Sequence, residues 1–353
     1  MRRTRLNQAM HLPDISLAKL MTLAFGLICS SFALASNLTI TPSFDASITS
    51  LSDAQAVELN INAAIAEVTS DITTATPMNI SVDFGNSTDP TLLASNMAAN
   101  QDIGFTQYKA LLQALPNQTV NQTSAFASLS TTANTGILSG STDISNIMLT
   151  SANLNALGDK TDAASAIALN GGFDDIVTLN LSRLNVTTLG QNNPANFDMQ
   201  TVVLHEVDEA LGIGGWGSTL VSGESLPSDA GVLDLYRYSA PGQHNFTSNA
   251  NTAAYFSIDG GNTSLINFNQ TWSASGSDAG DWGSHSGPAL VQDAYILGSG
   301  PAGLSAYELT ALNVIGYSLT STGQAVVAPL PVSFWFYLTG MAGLFLPKSR
   351  SRR

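Results

Sequence analysis

The sequence predicts an α+β fold, and three observations carry that prediction. Strand-like alternation is concentrated in the first half of the chain, and one strongly apolar helix carrying histidine and glutamate lies beyond it. A Gly/Ser-rich, irregular stretch then leads to a last amphipathic helix. No internal repeat interrupts this order, and the roughly 290 residues between the two terminal segments suit one domain or a domain with a small lobe.

The elements follow in chain order. Ala56, Val57, Leu59, Ile61, Ala64, Ile65 and Val68 recur at helical spacing over residues 52–70, behind a Ser or Asp cap. Ile80, Val82 and Phe84 alternate across residues 79–84, which makes a strand. Residues 106–115 read as a helix and 143–149 as a strand. Ile176, Val177, Leu179 and Leu181 make residues 175–181 the clearest strand, entered through Gly171-Gly172 and left through a loop over 190–194. Asp198 then caps a helix that runs to about Leu211. Past Gly212, short strands are expected at 232–238 and 254–258. Ser305 and Glu308 form the capping box of a final helix with Leu309, Leu312 and Ile315 as its buried stripe, and Gly316 stops it.

The chemistry-bearing pattern is His205-Glu206-Val207-Asp208-Glu209 in the central helix. Residues four apart share a helix face, so the His205 imidazole and Glu209 carboxylate can converge on one cation. Both are good zinc ligands. Glu206, one step round, reaches the edge of that site, where it can take a proton from water and pass it to a leaving group. Only six glutamates occur in the chain, and two fall in these five residues, which argues against an ordinary solvated face. A third ligand is needed. Asp234, at the start of a short expected strand, is the first candidate, its alternative being a turn or strand-end aspartate; His285 in a later loop is the second. His244, in a polar Gln/Asn/Ser loop, reads as solvated. Tyr236, Tyr238 and Tyr255 are candidate oxyanion donors or packed aromatics. Arg237 forms a structural ion pair or holds a substrate carboxylate. Asp259-Gly260-Gly261 and Asp174-Asp175 are weak candidates for a structural Ca2+.

The two ends carry targeting signals. Arg2, Arg3, Arg5 and Lys19 precede an apolar run over 20–32 and the small-x-small sequence Ala33-Leu34-Ala35, so residues 1–35 are expected to be a removable signal peptide. Cys29, the only cysteine, lies inside that run, which leaves the rest of the chain (36–353) without thiol or disulfide chemistry. At the other end, residues 321–328 form an expected linker. Pro329-Leu330-Pro331 then precedes an apolar, aromatic-rich stretch over 332–346 and a basic cluster from Lys348 to Arg353, which would hold the tail end on the cytoplasmic side of a membrane. Between the signals four basic residues face 25 acids, a balance of −21. Such a surface repels nucleic acid and anionic lipid, so nucleic acid is excluded as a partner and membrane contact is confined to the ends.

The tail resembles the PEP-CTERM class of bacterial sorting signals in its Pro-Leu-Pro variant, which implies removal by a membrane protease during delivery to the surface. The helix resembles that of HExxH zinc metallopeptidases, with Glu209 where their second histidine stands. His205, Glu206, Glu209 and Gly212 follow the metzincin pattern up to its glycine. The chain departs from it at Gly215, where those enzymes carry a third histidine, and no methionine between Met199 and Met341 supplies a Met-turn. A closer likeness is to exported bacterial HExxE metalloproteases with such tails. It covers residues 198–317, including Asp234-Leu235-Tyr236-Arg237, Tyr255-Phe256-Ser257-Ile258-Asp259 and Gly280-Asp281-Trp282. These resemblances imply a metzincin-like zinc-peptidase fold with a mixed sheet and a central HExxE helix, spanning 36–320. They imply Zn2+ as cofactor, a protein or peptide substrate, the export and sorting machinery as partners, and a secreted or cell-surface location. The alternative is a non-catalytic surface or extracellular-matrix protein with a structural or vestigial metal site. A carboxylate in place of an imidazole ligand leaves the metal less electron-poor, so a mildly alkaline optimum is expected.

Overall fold

The computed structural model describes residues 37–129, 137–139, 142–220, 229–247, 249, 251–270, 278–295 and 301–326. The expected signal peptide (1–35) and sorting tail (329–353) lie outside the described residues, and of the expected linker only residues 321–326 lie within them, as a short helix. Among the described residues no helix is long and apolar enough to cross a membrane.

The chain is α+β, as expected, with a mixed main sheet. Strand β1 (Leu38–Phe44) turns its Leu38 and Ile40 inward and leads to helix α1 (Ala54–Asp71), whose buried Val57, Ile61, Ala64, Ile65 and Val68 form one stripe. Strand β2 (Met78–Asn86) buries alternate residues Met78, Ile80, Val82 and Phe84. Next come β3 (Ala94–Ala98), β4 (Asn100–Gly104), β5 (Asn146–Thr150) and β6 (Asp175–Leu179). The main sheet has the order β1-β2-β6-β3. The first three strands are parallel, with Leu38 opposite Met78 and Val82 opposite Asp175, whereas β3 runs antiparallel to β6, Ala94 opposite Leu179. Thus β3 is an edge strand.

Helix α2 (Met199–Ala210) carries the HExxE pattern and packs along α1 on one side and β3 on another. Asp198 caps it, its Oδ1 accepting from the Thr201 N–H at 2.9 Å. Met199, Val202, Val203, Leu204 and Val207 are all buried. Each such aliphatic side chain contributes about 1.5–3 kcal/mol, so the helix is anchored by its apolar sides and its functional face is held still.

Strand β7 (Asp229–Gly231) joins β5 in parallel, with β4 on the other side of β5. Beyond it the structure differs from the expected strand over 232–238. Val232–Tyr236 is a 3-10 turn, and the strand β8 starts only at Arg237 and ends at Ala240. The cause is the Asp234 carboxylate, which accepts the Gly231 N–H at 3.0 Å and curls the backbone before it can extend. Strand β8 centres a small antiparallel sheet with β9 (Gln243–His244), β10 (Tyr255–Phe256) and β11 (Ile266–Asn267). The last helix, α3 (Ala306–Ile315), opens on the expected Ser305–Glu308 capping box and ends at Gly316, whose φ of 134° suits only glycine. Buried Glu308 also accepts from Trp282 Nε1 at 2.9 Å and from the Gln292 N–H at 3.3 Å. It thereby ties α3 to the two loop segments that complete the site.

Candidate metal centre

Helix α2 ends at Ala210, and Gly212, at φ 102°, reverses the chain. The returning residues Gly214 and Gly215 pass over the Glu209 carboxylate, whose Oε1 accepts the Gly215 N–H at 2.9 Å. A Cβ at Gly215 would stand 2.7 Å from that oxygen. Glycine here lets the backbone come down onto the carboxylate, and the position at which metzincins carry a histidine has no side chain to offer as a ligand.

The third donor comes from a later loop. His205, Glu209 and Asp281 each place one ligand atom such that all three lie within 4.8 Å of one another. The His205 Nε2–Glu209 Oε1 separation is 3.3 Å. A four-coordinate zinc with ligands at about 2.0–2.1 Å has ligand–ligand edges of about 3.3 Å, so the His205–Glu209 pair has the spacing of two ligands on one such ion, and Asp281 lies close enough to join them. Asp281 is delivered by the segment 278–282, which is fastened from several sides. Asn269 donates its N–H to the Asp281 carbonyl at 2.8 Å and its Nδ2 to the Asp278 carbonyl at 2.9 Å. Buried Arg237 donates to the carbonyls of Ala279 at 2.7 Å and Asn269 at 3.4 Å, lying over the Phe268 ring. Arg237 therefore braces the loop that carries Asp281.

Val291 orients the histidine. Its carbonyl can only accept, and His205 Nδ1 lies 2.9 Å away, so Nδ1 carries the hydrogen and Nε2 faces the carboxylates. Gln292, the next residue, places its amide Nε2 3.3 Å from His205 Nε2 and 3.0 Å from Asp281 Oδ1. Glu206 reaches the same space, and its buried Oε2 has no hydrogen-bond partner among the described residues.

The electrostatics are those of a site built for a cation. Burial alone would depress the His205 imidazole. Its bond to Glu209 and the charges of Asp281, Glu209 and Glu206 override burial and raise it well above the usual histidine value. Burial raises Glu206 well above an ordinary carboxylate, and the charges of Glu209, Asp175 and Asp281 push the same way while His205 opposes them. Asp281 is pushed up to about 8 and Asp278 to about 6, in both cases by burial first, with Glu209 adding to it. Carboxylates crowded in this way favour any bound positive charge.

His205, Glu206, Glu209 and Asp281 line a cleft of about 950 Å³. The edge strand contributes Ala94, Ser95 and Asn96 to it, and Trp216, Arg183 and Tyr295 also line it. Asn96 locks strand to helix: it donates to the Glu206 carbonyl at 3.1 Å and accepts from Trp216 Nε1 at 2.7 Å.

The other expected site residues lie elsewhere. The Asp234 carboxylate accepts from Ser218 Oγ at 2.7 Å and from the N–H groups of Thr219 and Gly231, both at 3.0 Å, so its oxygens are engaged in shaping a turn. His285 pairs with Asp293 at 2.7 Å. His244 is packed between the rings of Tyr238 and Phe246, not simply solvated. Tyr236 lies in the core within 3.4 Å of Tyr108, Tyr255 donates to the Gly261 carbonyl, and neither these nor Tyr238 line the cleft. The carboxylates of the expected calcium segments are taken up internally. Asp259 accepts from Ser257 and Thr263, Asp174 from Ser81 and Ser151, and Asp175 from Asn96 and the Ile176 N–H. Asp281, which no sequence spacing ties to His205 and Glu209, is marked by its glycine neighbour. A Cβ at Gly280 would fall 1.7 Å from the Gly214 carbonyl oxygen, so this loop can reach the helix only with glycine there. Compared with models of known protein families, with curated proteins and with solved structures, the chain matches none.

Proposed function

We propose that this chain is an exported zinc-dependent peptidase with a metzincin-like arrangement, in which His205, Glu209 and Asp281 hold the metal and Glu206 is the general base. The observation that carries this reading is the convergence of one imidazole and two carboxylates at the wall of an open cleft, with the unpartnered Glu206 oxygen beside them. A bound divalent ion supplies an activated water and polarises the scissile carbonyl. The protein's own groups do the rest. The Val291 carbonyl keeps the His205 Nε2 lone pair turned to the metal. Glu206, whose proton affinity is raised by burial and neighbouring charge, takes the proton of the attacking water and delivers it to the departing amine.

The edge strand supports a peptide substrate. Asn180 N–H bonds the Leu93 carbonyl and Ala99 N–H bonds the Asp174 carbonyl, so by alternation the backbone groups of Ala94 and Asn96 point away from β6. Those free groups at the cleft can pair with an extended chain by strand addition. The terminal segments support export and surface delivery.

A second reading, a non-catalytic surface protein with a structural metal, is favoured by one observation: the Gln292 amide already lies beside two of the donors. Peptide cleavage by the zinc-loaded wild type and Glu206→Gln separates the two. The peptidase reading expects turnover in the wild type and a loss of roughly 10²–10⁴-fold in the variant at equal zinc content. Equal rates, or no cleavage by either, would remove the enzymatic claim.

A further inference from the structure

The metal centre contains one group that the hydrolytic reading does not use. Gln292 is fully buried, yet its Oε1 has no hydrogen-bond partner among the described residues. Leaving a buried carbonyl oxygen unpaired is destabilising, so its position calls for a reason. Its backbone is pinned on both sides, the N–H by Glu308 at 3.3 Å and the carbonyl by the Trp282 N–H at 2.8 Å. Gly214 clears space for the side chain: a Cβ there would lie 2.0 Å from Gln292 Nε2. The loop after the helix is therefore shaped around this amide.

The distances indicate what the amide is for. Its terminal atom is 3.3 Å from His205 Nε2 and 3.0 Å from Asp281 Oδ1, and His205 Nε2 is 3.3 Å from Glu209 Oε1. All three separations match the edges of about 3.3 Å expected between ligands of a four-coordinate zinc. The amide therefore stands one such edge from two of the three donors, His205 and Asp281. Its nitrogen faces the carboxylate here, where an N–H donor is favourable without a cation. A half-turn about the terminal torsion, which is two-fold and soft, exchanges nitrogen for oxygen at the same point.

We propose that Gln292 is the fourth ligand of the metal centre, its amide oxygen closing the coordination sphere formed by His205, Glu209 and Asp281. The inference rests on the metal reading above. Two carboxylates, a neutral imidazole and a neutral amide balance a divalent ion's charge. The amide is the one neutral oxygen donor among the four, so it is the ligand a water or substrate carbonyl displaces without leaving a buried charge unpaired. The resting site is closed, and an incoming donor opens it.

The test compares wild type, Gln292→Leu and Gln292→Glu, each confirmed as folded by thermal melting. Zinc affinity is measured by competition with a chromophoric chelator, and water-proton relaxation is measured on the Mn2+-loaded proteins. The proposal expects Gln292→Leu to lose tenfold or more in zinc affinity and to relax water faster than wild type, because water enters the vacated corner. Gln292→Glu should retain zinc affinity. Zinc binding by Gln292→Leu within twofold of wild type, or weaker binding with unchanged relaxation, would overturn the role of Gln292 while leaving the three-ligand site intact. Absence of zinc binding by the wild type would instead overturn the metal reading itself.

Discussion

Gly280 rests directly on Gly214, so closely that a Cβ at 280 would stand 1.7 Å from the Gly214 carbonyl oxygen. This backbone contact joins the turn after the HExxE helix to the loop bearing Asp281, and so brings a third potential donor to a helix that supplies two. Replacing Gly280 by Ala forces the two loops apart. Overpacking of this kind costs about 1–3 kcal/mol, and here it also moves a ligand. Gly280→Ala is expected to lower both the melting temperature and the zinc affinity, measured by thermal denaturation and chelator competition. A variant as stable and as tight as wild type would show that the contact does not position Asp281.

Asp234 tests the assignment from the opposite side. Its carboxylate accepts three hydrogen bonds around the turn at Val232–Tyr236 and takes no part in the donor cluster. In Asp234→Asn an amide donor faces N–H or O–H donors in a buried position, at a cost of about 1–3 kcal/mol. A lower melting temperature with zinc affinity within twofold of wild type is expected. Tenfold weaker zinc binding at full occupancy of the fold would restore Asp234 as a ligand.

The pH dependence of the metal-free protein follows from the crowded carboxylates. Asp281 at about 8 and Asp278 at about 6 both lie above their ordinary value near 3.8, chiefly through burial. The folded state then binds protons more tightly than the unfolded chain. The stability these two groups contribute is complete below about pH 4 and is lost as pH rises through 6 and then 8. Chelator-treated protein should therefore melt at a lower temperature at pH 8.5 than at pH 5. Added zinc should reverse the trend, since it requires Asp281 deprotonated and so stabilises more as pH climbs. A flat metal-free profile between those limits would contradict the electrostatic account, and strongest zinc binding at acidic pH would contradict the ligand set.

The central helix was legible because several independent signals coincide over residues 198–211: an aspartate cap, apolar sides, and a histidine and glutamate four apart. The strand at 79–84, the strand beginning at Asp175 and the helix starting near Ser305 were legible for the same reason, alternation or capping written into adjacent residues, although the second strand ends at Leu179 and Leu181, expected within it, opens a 3-10 turn. The edge strand Ala94–Ala98 was not, because its residues Ala, Ser, Asn, Met and Ala carry no apolar alternation, and its place is set by pairing with β6. The turn over Val232–Tyr236 was misread as strand because its Val, Leu, Leu and Tyr are equally apt for either. The hydrogen bond from Gly231 to Asp234 decides the matter, and composition does not reveal it. Asp281 and Gln292 reach the helix only through tertiary contacts, Gly280 on Gly214 and the Val291 carbonyl on His205. No spacing within the chain encodes those contacts, which is why the choice between Asp234 and His285 could not find the residue the fold selects.

Zinc titration of the metal-free wild type beside Asp281→Asn tests the account at its centre. One tightly bound zinc per chain is expected for the wild type. The variant, which loses a direct ligand, should bind more weakly by more than the roughly 10–100-fold typical of outer-shell changes. A wild type that takes up no zinc, or an Asp281→Asn variant that binds it as tightly, would contradict a site built from His205, Glu209 and Asp281.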